Sequence, residues 1–224
     1  MKISIIGTGM IATEVIKMLR NEAKGIEITS IFSHSNKEKA MSLAKENDID
    51  HVYTDYAQLL KEDDADFVYI ALVNNAHYTY VRQALEAQRN VIVEKPFTST
   101  LEEAKLLAQM ARERGLYLFE AVTPLHTPNF QLVKQSIKRI APIHFAQCNF
   151  SQYSSKYERY LQGDIAPAFN PELGGGALND LNVYNINIIV GLFGEPIANQ
   201  YFANNGHNGV DTSGIMVLTY PNLI

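Results

Sequence analysis

The sequence predicts an α/β fold in which a doubly wound parallel sheet is followed by an α+β domain with a mostly antiparallel sheet. Up to about residue 121, short β-branched runs alternate with amphipathic helical patterns, a rhythm typical of βαβ units. The run Phe67 to Ala71 is continuously apolar, as a parallel strand buried on both faces should be. The rhythm changes beyond residue 121. We therefore predict two domains, 1–121 and 122–224.

The elements of the first domain follow from periodicity and from capping residues. Strands are predicted over residues 2–6, 26–32, 51–54, 67–71, 90–94 and 116–119. Helices are predicted from about residue 10 and over residues 36–46, 56–60, 77–88 and 99–114. Thr98 is a suitable N-cap for the helix that begins at residue 99, and Gly115 is a suitable stop.

The second domain shows fewer and longer patterns. Helices are predicted over residues 129–139 and 177–193, a long alternating strand over 143–153, and further strands over 201–203 and 214–220. A sheet built from these strands would leave an edge exposed, and natural sheets protect their edges. A partner chain or a longer form of the protein would cover that edge, and we expect that the chain is a truncated form of a longer protein.

The first turn of the chain is the strongest functional signal. Residues 2–6 form a strand pattern that runs into Gly7-Thr8-Gly9-Met10-Ile11-Ala12, where a helix begins. Glycines at this turn allow the backbone to approach a pyrophosphate, and a small residue such as Ala12 lets the helix pack on the strand. The first N–H groups of a helix also favour an anion. The segment predicts a dinucleotide site, with an ordinary strand–helix turn as the alternative.

Composition excludes several other classes of function. The 224 residues include 46% apolar residues, carry a net charge of −5 and show no basic stripe, which disfavours nucleic-acid binding. We find no apolar run long enough to span a bilayer and no signal-peptide pattern, so we expect a cytoplasmic protein. Cys148 is the single cysteine, and the histidines lack metal-ligand spacing. We therefore predict neither a disulfide nor a metal site.

Three further residues suggest proton chemistry. Lys95 lies in Glu94-Lys95-Pro96 at the end of a predicted strand, where open α/β sheets bind ligands. Asp180 and Tyr184 follow Gly174-Gly175-Gly176 and stand four residues apart on a predicted helix, hence on one face. An ammonium lowers the pKa of a nearby phenol, so the three side chains form a possible catalytic trio. The alternative is local capping and packing.

The loop after the strand 67–71 is expected to lie beside the cofactor. Asn74 offers an amide to a ribose or a carboxamide, whereas His77 either caps the next helix or faces the ligand. The end of the second strand carries no carboxylate to select NAD through the ribose 2′-hydroxyl. Its polar residues suit a 2′-phosphate instead, and we predict NADP with NAD possible; they are Ser33, His34, Ser35 and Lys37.

Taken together, these motifs resemble the glucose–fructose oxidoreductase, inositol dehydrogenase and rhizopine-catabolism (Gfo/Idh/MocA) family. The first glycine turn, the Asn74–His77 loop, Glu94-Lys95-Pro96 and the segment from Gly174 to Tyr184 occur in the family's order and spacing. One branch of the family, which contains dihydrodiol dehydrogenase, carries tyrosine where inositol dehydrogenases carry histidine. Tyr184 matches the tyrosine of that branch. Departures at Leu72-Val73, Asn182 and residues 123–126 concern the substrate pocket more than the cofactor site.

The resemblance implies an NAD(P)-dependent oxidoreductase acting on a sugar, polyol or cyclic diol. Lys95 and Tyr184 would be the proton-transfer pair, with Asp180 orienting the substrate or tuning the tyrosine. It also implies a homodimer or homotetramer formed through the C-terminal sheet. A non-catalytic NAD(P)-binding or sensing protein is the alternative function. The full predicted cofactor set is Gly7, Thr8, Gly9, Met10, Ile11, Ser33, His34, Ser35, Lys37, Leu72, Asn74, His77, Glu94 and Lys95.

Overall fold

Two compact units make up the structure, a computed structural model that describes residues 1–221 and 223. The N-terminal unit is Met1–Ala121 and the C-terminal unit is Val122–Ile224. The N-terminal unit contains a six-stranded sheet, and the C-terminal unit contains a two-stranded sheet. Because each unit has its own sheet, each is described separately.

The N-terminal unit is built on one parallel sheet. Its strands are β1 (Lys2–Ile6), β2 (Glu27–Phe32), β3 (His51–Tyr53), β4 (Phe67–Ile70), β5 (Asn90–Val93) and β6 (Leu118–Glu120). Its helices are α1 (Met10–Glu22), α2 (Lys37–Glu46), α3 (Tyr56–Glu62), α4 (His77–Glu86) and α5 (Leu101–Arg114). The strand order is β3-β2-β1-β4-β5-β6, and every neighbouring pair is parallel. The predicted doubly wound parallel sheet is confirmed.

Apolar side chains cover both faces of this sheet. Ile5 of β1 packs in one cluster with Ala12 and Ile16 of α1, whereas the adjacent Ile6 packs on the opposite face with Leu85 of α4. All five residues are buried. Complete burial of an aliphatic side chain contributes roughly 1.5–3 kcal/mol. The alternation along β1 therefore holds helices against both faces and aligns the loops at one edge of the sheet.

The start of α5 differs from the prediction. Thr100, not Thr98, is the N-cap: its hydroxyl accepts from the Glu103 N–H at 3.2 Å, and the Glu103 carboxylate accepts from the Thr100 N–H. The Thr98 hydroxyl donates to the Thr100 carbonyl instead. Both threonines satisfy the N-cap preference, but only Thr100 has a glutamate three residues later to complete a capping box. Gly115 ends α5 with φ of 65°, as predicted.

The C-terminal unit contains three α-helices and one hairpin among its described residues. The helices are α6 (Pro128–Ile140), α7 (Tyr157–Leu161) and α8 (Val183–Phe193), and the strands are β7 (Ala198–Asn205) and β8 (Asp211–Thr219). The strands pair antiparallel, as predicted. Its cluster of buried apolar residues is small and consists of Tyr160, Phe169 and Val210.

The prediction of a long strand over residues 143–153 is wrong. This segment has no regular secondary structure and makes no backbone–backbone hydrogen bond with any other described residue. Residues 145–152 instead line a cavity of about 610 Å³ together with residues 212–218 of β8 and one side of α8. Alternation describes which side chains suit a strand, but a strand also needs a neighbouring strand, and β7 and β8 pair with each other.

The single helix predicted over residues 177–193 is in fact two segments. Leu178–Asn182 form a π-helical turn, and α8 begins at Val183. Turns of this kind carry i→i+5 hydrogen bonds and are frequent at functional sites. The rule that residues four apart share a face of a regular α-helix therefore does not apply directly to Asp180 and Tyr184.

Candidate active site

The glycine turn after β1 leaves open space beside Gly9. Gly7 has φ of +122°, and a Cβ there would lie 2.3 Å from the carbonyl oxygen of Ala71. The Gly7 N–H donates to the Phe32 carbonyl at 2.9 Å. By contrast, a Cβ at Gly9 would meet no atom within 4 Å. Gly7 is thus required by the protein's own backbone, whereas the space beside Gly9 is open to a ligand.

The amino end of α1 is exposed. Gly9 is the N-cap residue and supplies no side-chain oxygen to the first N–H groups of the helix. Met10 is 64% exposed and Ile11 is 38% exposed, whereas Ala12 is completely buried against the sheet. Unsatisfied N–H groups and the helix dipole together favour an anion at such an end. A diphosphate therefore fits the residues present here.

The turn after β2 divides its polar residues into two groups. Ser33 is buried; its N–H donates to the Tyr53 carbonyl, and its hydroxyl accepts from the Asn36 N–H at 3.2 Å. The other three predicted residues of this turn, His34, Ser35 and Lys37, are exposed. Ser33 shapes the turn, so its exposed neighbours are the groups available to a ligand.

The loop after β4 is held by a histidine. The loop contains a 3₁₀ turn, Asn74–Ala76, and His77 begins α4 without capping it. His77 is completely buried. Its Nδ1 lies 2.8 Å from the Pro96 carbonyl oxygen, and its Nε2 lies 3.2 Å from the Leu72 carbonyl oxygen. Its side chain therefore neither caps the helix nor faces open space, and it links the loops after β4 and β5.

The protonation of His77 follows from its surroundings. Burial lowers the pKa of the imidazole, and this outweighs the opposite effect of the two carbonyl groups. The ring is therefore neutral near pH 7. A neutral imidazole has one N–H donor, so it donates to one of the two carbonyls at a time.

The lysine loop after β5 is framed by two glutamates. The Tyr69 hydroxyl donates to Glu94 Oε1 at 2.5 Å, and the Lys95 N–H donates to Glu94 Oε2 at 3.3 Å. The Phe97 N–H donates to Glu120 Oε1 at 2.9 Å. Burial, reinforced by the charge of Glu94, raises the pKa of Glu120. These bonds fix the backbone on both sides of Lys95.

Tyr69 and Glu120 were not among the predicted site residues. Each stands on a strand of the buried sheet, and its partner lies 25 or 23 residues away in the chain. A local pattern carries no sign of such a contact. The available signal was position, since both residues are polar groups near the carboxyl ends of predicted strands.

All of the predicted cofactor residues stand at one edge of the sheet. Gly7 follows β1, Ser33 follows β2, Leu72 follows β4 and Lys95 follows β5. Backbone hydrogen bonds continue past the strand ends, for example from the Gly7 N–H to Phe32 and from the Ala71 N–H to Ile6. Parallel strands end at a common edge, and the order reverses between β1 and β4, which makes a switch-point crevice.

In the C-terminal unit the three successive glycines meet requirements of the chain itself. Gly174 has φ of +76° and ends a 3₁₀ turn. A Cβ on Gly175 would lie 2.5 Å from the Pro167 carbonyl oxygen, and one on Gly176 would lie 1.9 Å from Asp211 Oδ1. The glycines at 175 and 176 are thus explained by close approach within the chain.

Asp180 and Tyr184 follow these glycines. Asp180 lies in the π-helical turn, and its N–H donates to the Gly176 carbonyl at 2.9 Å. Tyr184 lies in the first turn of α8, and its ring meets Phe150 edge-on with centroids 5.7 Å apart. Lys95 belongs to the N-terminal unit and Tyr184 to the C-terminal unit, so their pairing stays a prediction.

The described residues contain neither a membrane-spanning helix nor a cluster of metal ligands. No helix there combines the length and the apolar character needed to cross a bilayer. No group of three or more histidine, cysteine, aspartate or glutamate side chains there is arranged to hold a metal ion.

The chain matches known proteins over both units. Residues 1–122 match the model of an oxidoreductase family with an NAD-binding Rossmann fold, GFO/IDH/MocA, and residues 130–224 match the model of the GFO/IDH/MocA C-terminal domain. The uncharacterized oxidoreductase YgjR of Escherichia coli K12 is 33% identical over 219 residues, which is 98% of this chain and 66% of that protein.

Two other known proteins are similar to the chain, one in sequence and one in fold. The scyllo-inositol 2-dehydrogenase (NADP⁺) IolU of Bacillus subtilis is 31% identical over 222 residues, 98% of this chain and 66% of that protein. The WlbA dehydrogenase of Chromobacterium violaceum, solved with NADH and UDP-GlcNAcA, superposes with a TM-score of 0.82 at 18% identity. The superposition covers 99% of this chain and 64% of that one, and it shows the shared fold.

The chain thus spans about two thirds of the length of the curated relatives that it matches. The two family models match residues 1–122 and 130–224. The glycine turn at the exposed amino end of α1 and the lysine loop after β5 lie at the carboxyl edge of the parallel sheet, within the part of the chain that matches the Rossmann-fold model. We conclude that the chain belongs to the GFO/IDH/MocA family of oxidoreductases.

Proposed function

We propose that the protein is an NAD(P)-dependent oxidoreductase that transfers hydride between a nicotinamide cofactor and a carbon bearing a hydroxyl group. The observation that carries the proposal is the exposed amino end of α1, next to a Gly9 without neighbours on its Cβ side. In this proposal residues 1–121 bind the cofactor and residues 122–224 provide the substrate side. The proposed substrate is a sugar, polyol or cyclic diol, and the inositol named for the relative IolU is a cyclic polyol.

The cofactor, when bound, supplies the hydride chemistry. The first N–H groups of α1 bind the diphosphate, and the turn after β1 approaches it through Gly9. Tyr69, Glu94 and Glu120 hold the backbone of the lysine loop in place. His77 couples that loop to the loop after β4. These residues orient the cofactor without reacting.

Proton transfer is assigned to Tyr184 and Lys95. During oxidation the Tyr184 phenolate oxygen takes the proton from the substrate hydroxyl, and during reduction the phenol returns it. The Lys95 ammonium favours the ionised phenol and hydrogen-bonds the substrate. Asp180, one turn before Tyr184, orients the substrate hydroxyl or tunes the tyrosine.

We infer that the preferred cofactor is NADP. The described turn after β2 has no carboxylate at residues 33–37 to bind a ribose 2′-hydroxyl, and it exposes an imidazole, a hydroxyl and an ammonium, at His34, Ser35 and Lys37. This set suits a 2′-phosphate. The name of IolU specifies NADP⁺, which agrees with the inference.

The test combines cofactor titration with a single substitution. NADPH and NADH are titrated by fluorescence and by thermal shift, followed by a turnover screen on polyols, sugars and diols. Tyr184→Phe is expected to lower kcat by about 100-fold or more while the cofactor affinity stays unchanged. Tyr153→Phe removes another tyrosine hydroxyl of the same unit and serves as the control.

Two results would contradict the proposal. Full activity in Tyr184→Phe would exclude its acid–base role. Tight cofactor binding without turnover on any substrate of the panel would favour a binding or sensing protein on the same fold.

We further propose a homodimer or homotetramer formed through the C-terminal sheet. Phe202 of β7 and Ile215 of β8 are directly paired across the hairpin, and they are 53% and 68% exposed. Apolar pairs on an open sheet face are a common site of self-association.

A further inference from the structure

We infer that Asp211 is a positioning residue whose carboxylate anchors the helical segment carrying Asp180 and Tyr184. The inference rests on the proposed function of those two side chains. Asp211 is the first residue of β8 and lies far from the segment along the chain. Its own role is to hold the backbone from which the acid–base groups project.

Two donors converge on one oxygen of Asp211. Its Oδ2 accepts from the Leu178 N–H at 2.7 Å and from the Tyr201 hydroxyl at 2.5 Å. Leu178 is the first residue of the π-helical turn, and Tyr201 lies in β7. Hydrogen bonds to an ionised carboxylate are stronger than those between neutral groups. One carboxylate therefore ties the hairpin to the start of the helical segment.

The other carboxylate oxygen of Asp211 explains why residue 176 is a glycine. Gly176 has φ of +123°, and a Cβ there would lie 1.9 Å from Asp211 Oδ1. No side chain larger than a hydrogen fits between them. The close approach of Asp211 to the turn thus depends on Gly176, and the two residues form one unit of structure.

The anchor replaces a local cap. Ala177 is the N-cap residue of the helical segment and carries no oxygen in its side chain. Most helices satisfy their first N–H groups with a Ser, Thr, Asp or Asn at that position. Here the acceptor comes from the neighbouring sheet, and its negative charge lies at the positive end of the helix dipole.

The Tyr201 hydroxyl that donates to Asp211 is uncharged. Burial, assisted by the hydrogen bond and the charge of Asp211, raises the pKa of the Tyr201 phenol well above its ordinary value. The hydroxyl therefore remains protonated near neutral pH and donates to Asp211. Tyr201 in turn fills the space beside Gly214 on the paired strand.

Asp211 is connected to the proposed acid–base residues through Gly176. Asp180 donates its N–H to the Gly176 carbonyl, so the residue that touches Asp211 also sets the position of Asp180. Tyr184 follows at the first turn of α8. Small displacements of reacting groups cost large factors in rate, about 100-fold for 1 Å. Loss of the anchor is therefore expected to lower kcat rather than cofactor affinity.

The experiment compares Asp211→Asn with Glu195→Gln, which neutralises an exposed carboxylate of the same unit. Asp211→Asn is expected to lower kcat by about 10-fold or more, with KM and the NADPH dissociation constant changed by less than about threefold. Glu195→Gln should leave all three unchanged. A kcat within twofold of the wild type in a folded Asp211→Asn protein would overturn the inference.

Two further variants keep the inference testable if Asp211→Asn fails to fold. Tyr201→Phe removes one donor and leaves the carboxylate, so a smaller loss of kcat is expected. Gly176→Ala should reproduce the loss, and combining it with Tyr201→Phe should lower kcat little further, because both changes weaken the same anchor. Additive losses in that double variant would contradict the coupling.

A readout independent of activity separates this inference from the proposed function. Asp211→Asn should accelerate hydrogen exchange of the Leu178 amide, measured by NMR, while Glu195→Gln leaves it unchanged. If the wild type turns over no substrate, the proposed function fails and the exchange result still decides on the anchor. Unchanged exchange at Leu178 would refute the anchor even in an active enzyme.

Discussion

Gly7 and Gly9 show how two residues of one turn meet different requirements. Gly7 is constrained by the protein, since its φ is positive and the Ala71 carbonyl occupies the place of a Cβ. Gly9 has an ordinary negative φ of −68° and nothing near its Cβ position. The motif therefore separates into one glycine that the fold needs and one whose Cβ side is open to a ligand.

This separation predicts opposite effects of two alanine substitutions. Gly7→Ala is expected to destabilise the protein by about 2 kcal/mol or more, because alanine meets both a strained φ and a collision. Gly9→Ala should cost at most about 1 kcal/mol yet abolish cofactor binding, because its Cβ enters the proposed phosphate position. Chemical denaturation and NADPH titration of both variants measure the two effects. A Gly9→Ala protein that binds normally would place the diphosphate elsewhere.

His77 makes stability depend on pH in a defined direction. Its pKa in the folded protein is below the ordinary value, so the folded state favours the neutral ring. The unfolded chain takes up a proton first as the pH falls below about 6.5. The stability that His77 contributes is thus complete above that pH and decreases below it.

Denaturation curves between about pH 8 and pH 5 check this expectation. In the wild type, the free energy of unfolding should decrease as the pH is lowered. In His77→Gln this decrease should be smaller, because an amide does not titrate. His34→Gln removes an exposed histidine of the same unit and should leave the slope unchanged. Equal slopes in the wild type and His77→Gln would contradict the burial argument.

Among the elements, α5 shows how a helix start is chosen between two equivalent residues. Thr98 and Thr100 both carry a hydroxyl that can cap a helix. The choice falls on Thr100 because Glu103 reaches back to its N–H. The reciprocal pair satisfies two of the first N–H groups of α5, whereas Thr98 has no such partner.

The capping box predicts a contrast between neighbouring substitutions. Thr100→Ala is expected to lower the free energy of unfolding by about 1 kcal/mol. Thr98→Ala should cost less, because it removes only the hydroxyl bond to the Thr100 carbonyl. Urea denaturation of the two proteins compares them directly. Equal losses would show that the box adds nothing to the cap.

The elements of the C-terminal unit are less determined by local pattern. The alternating residues 143–153 satisfy the side-chain rule for a strand yet have no strand neighbour among the described residues. The apolar α8 has no fully buried residue, although a helix that is apolar on all sides is normally buried. Both features describe a unit whose apolar surface is only partly covered by its own residues.

For the molecule as a whole, this open surface favours association. The hairpin exposes the paired Phe202 and Ile215, and the buried cluster of the C-terminal unit is small. Burial of apolar area is the main favourable contribution to most protein–protein interfaces. The protein is therefore expected to gain more from self-association through this sheet than through its helix-covered N-terminal unit.

Sedimentation velocity across a concentration series tests this expectation. The wild type should sediment as a dimer or tetramer, and Ile215→Lys should shift it towards the monomer, because a charge cannot be buried unpaired in an interface. Leu106→Lys changes a similarly exposed apolar residue of α5 and should have no effect. A wild type that stays monomeric would exclude association through the hairpin.

The fold of the N-terminal unit was predictable because its elements are set by local chemistry. β-branched runs and 3.6-residue periods placed the strands and helices, and Gly115 marked the end of α5. The common position of the proposed cofactor residues followed, because parallel strands end at one edge of the sheet. Contacts such as Tyr69 with Glu94 and His77 with Pro96 were not predictable, because they join residues far apart in sequence.

The sequence by itself determined the parallel sheet, the glycine turn and the residues that stand at its carboxyl edge, since each depends on neighbours a few positions away. Only the tertiary structure decided that Gly176 faces Asp211, that His77 is buried between two loops and that residues 143–153 form no strand. These outcomes depend on which distant backbone or side chain supplies the partner of a hydrogen bond. Local residue patterns do not carry that information.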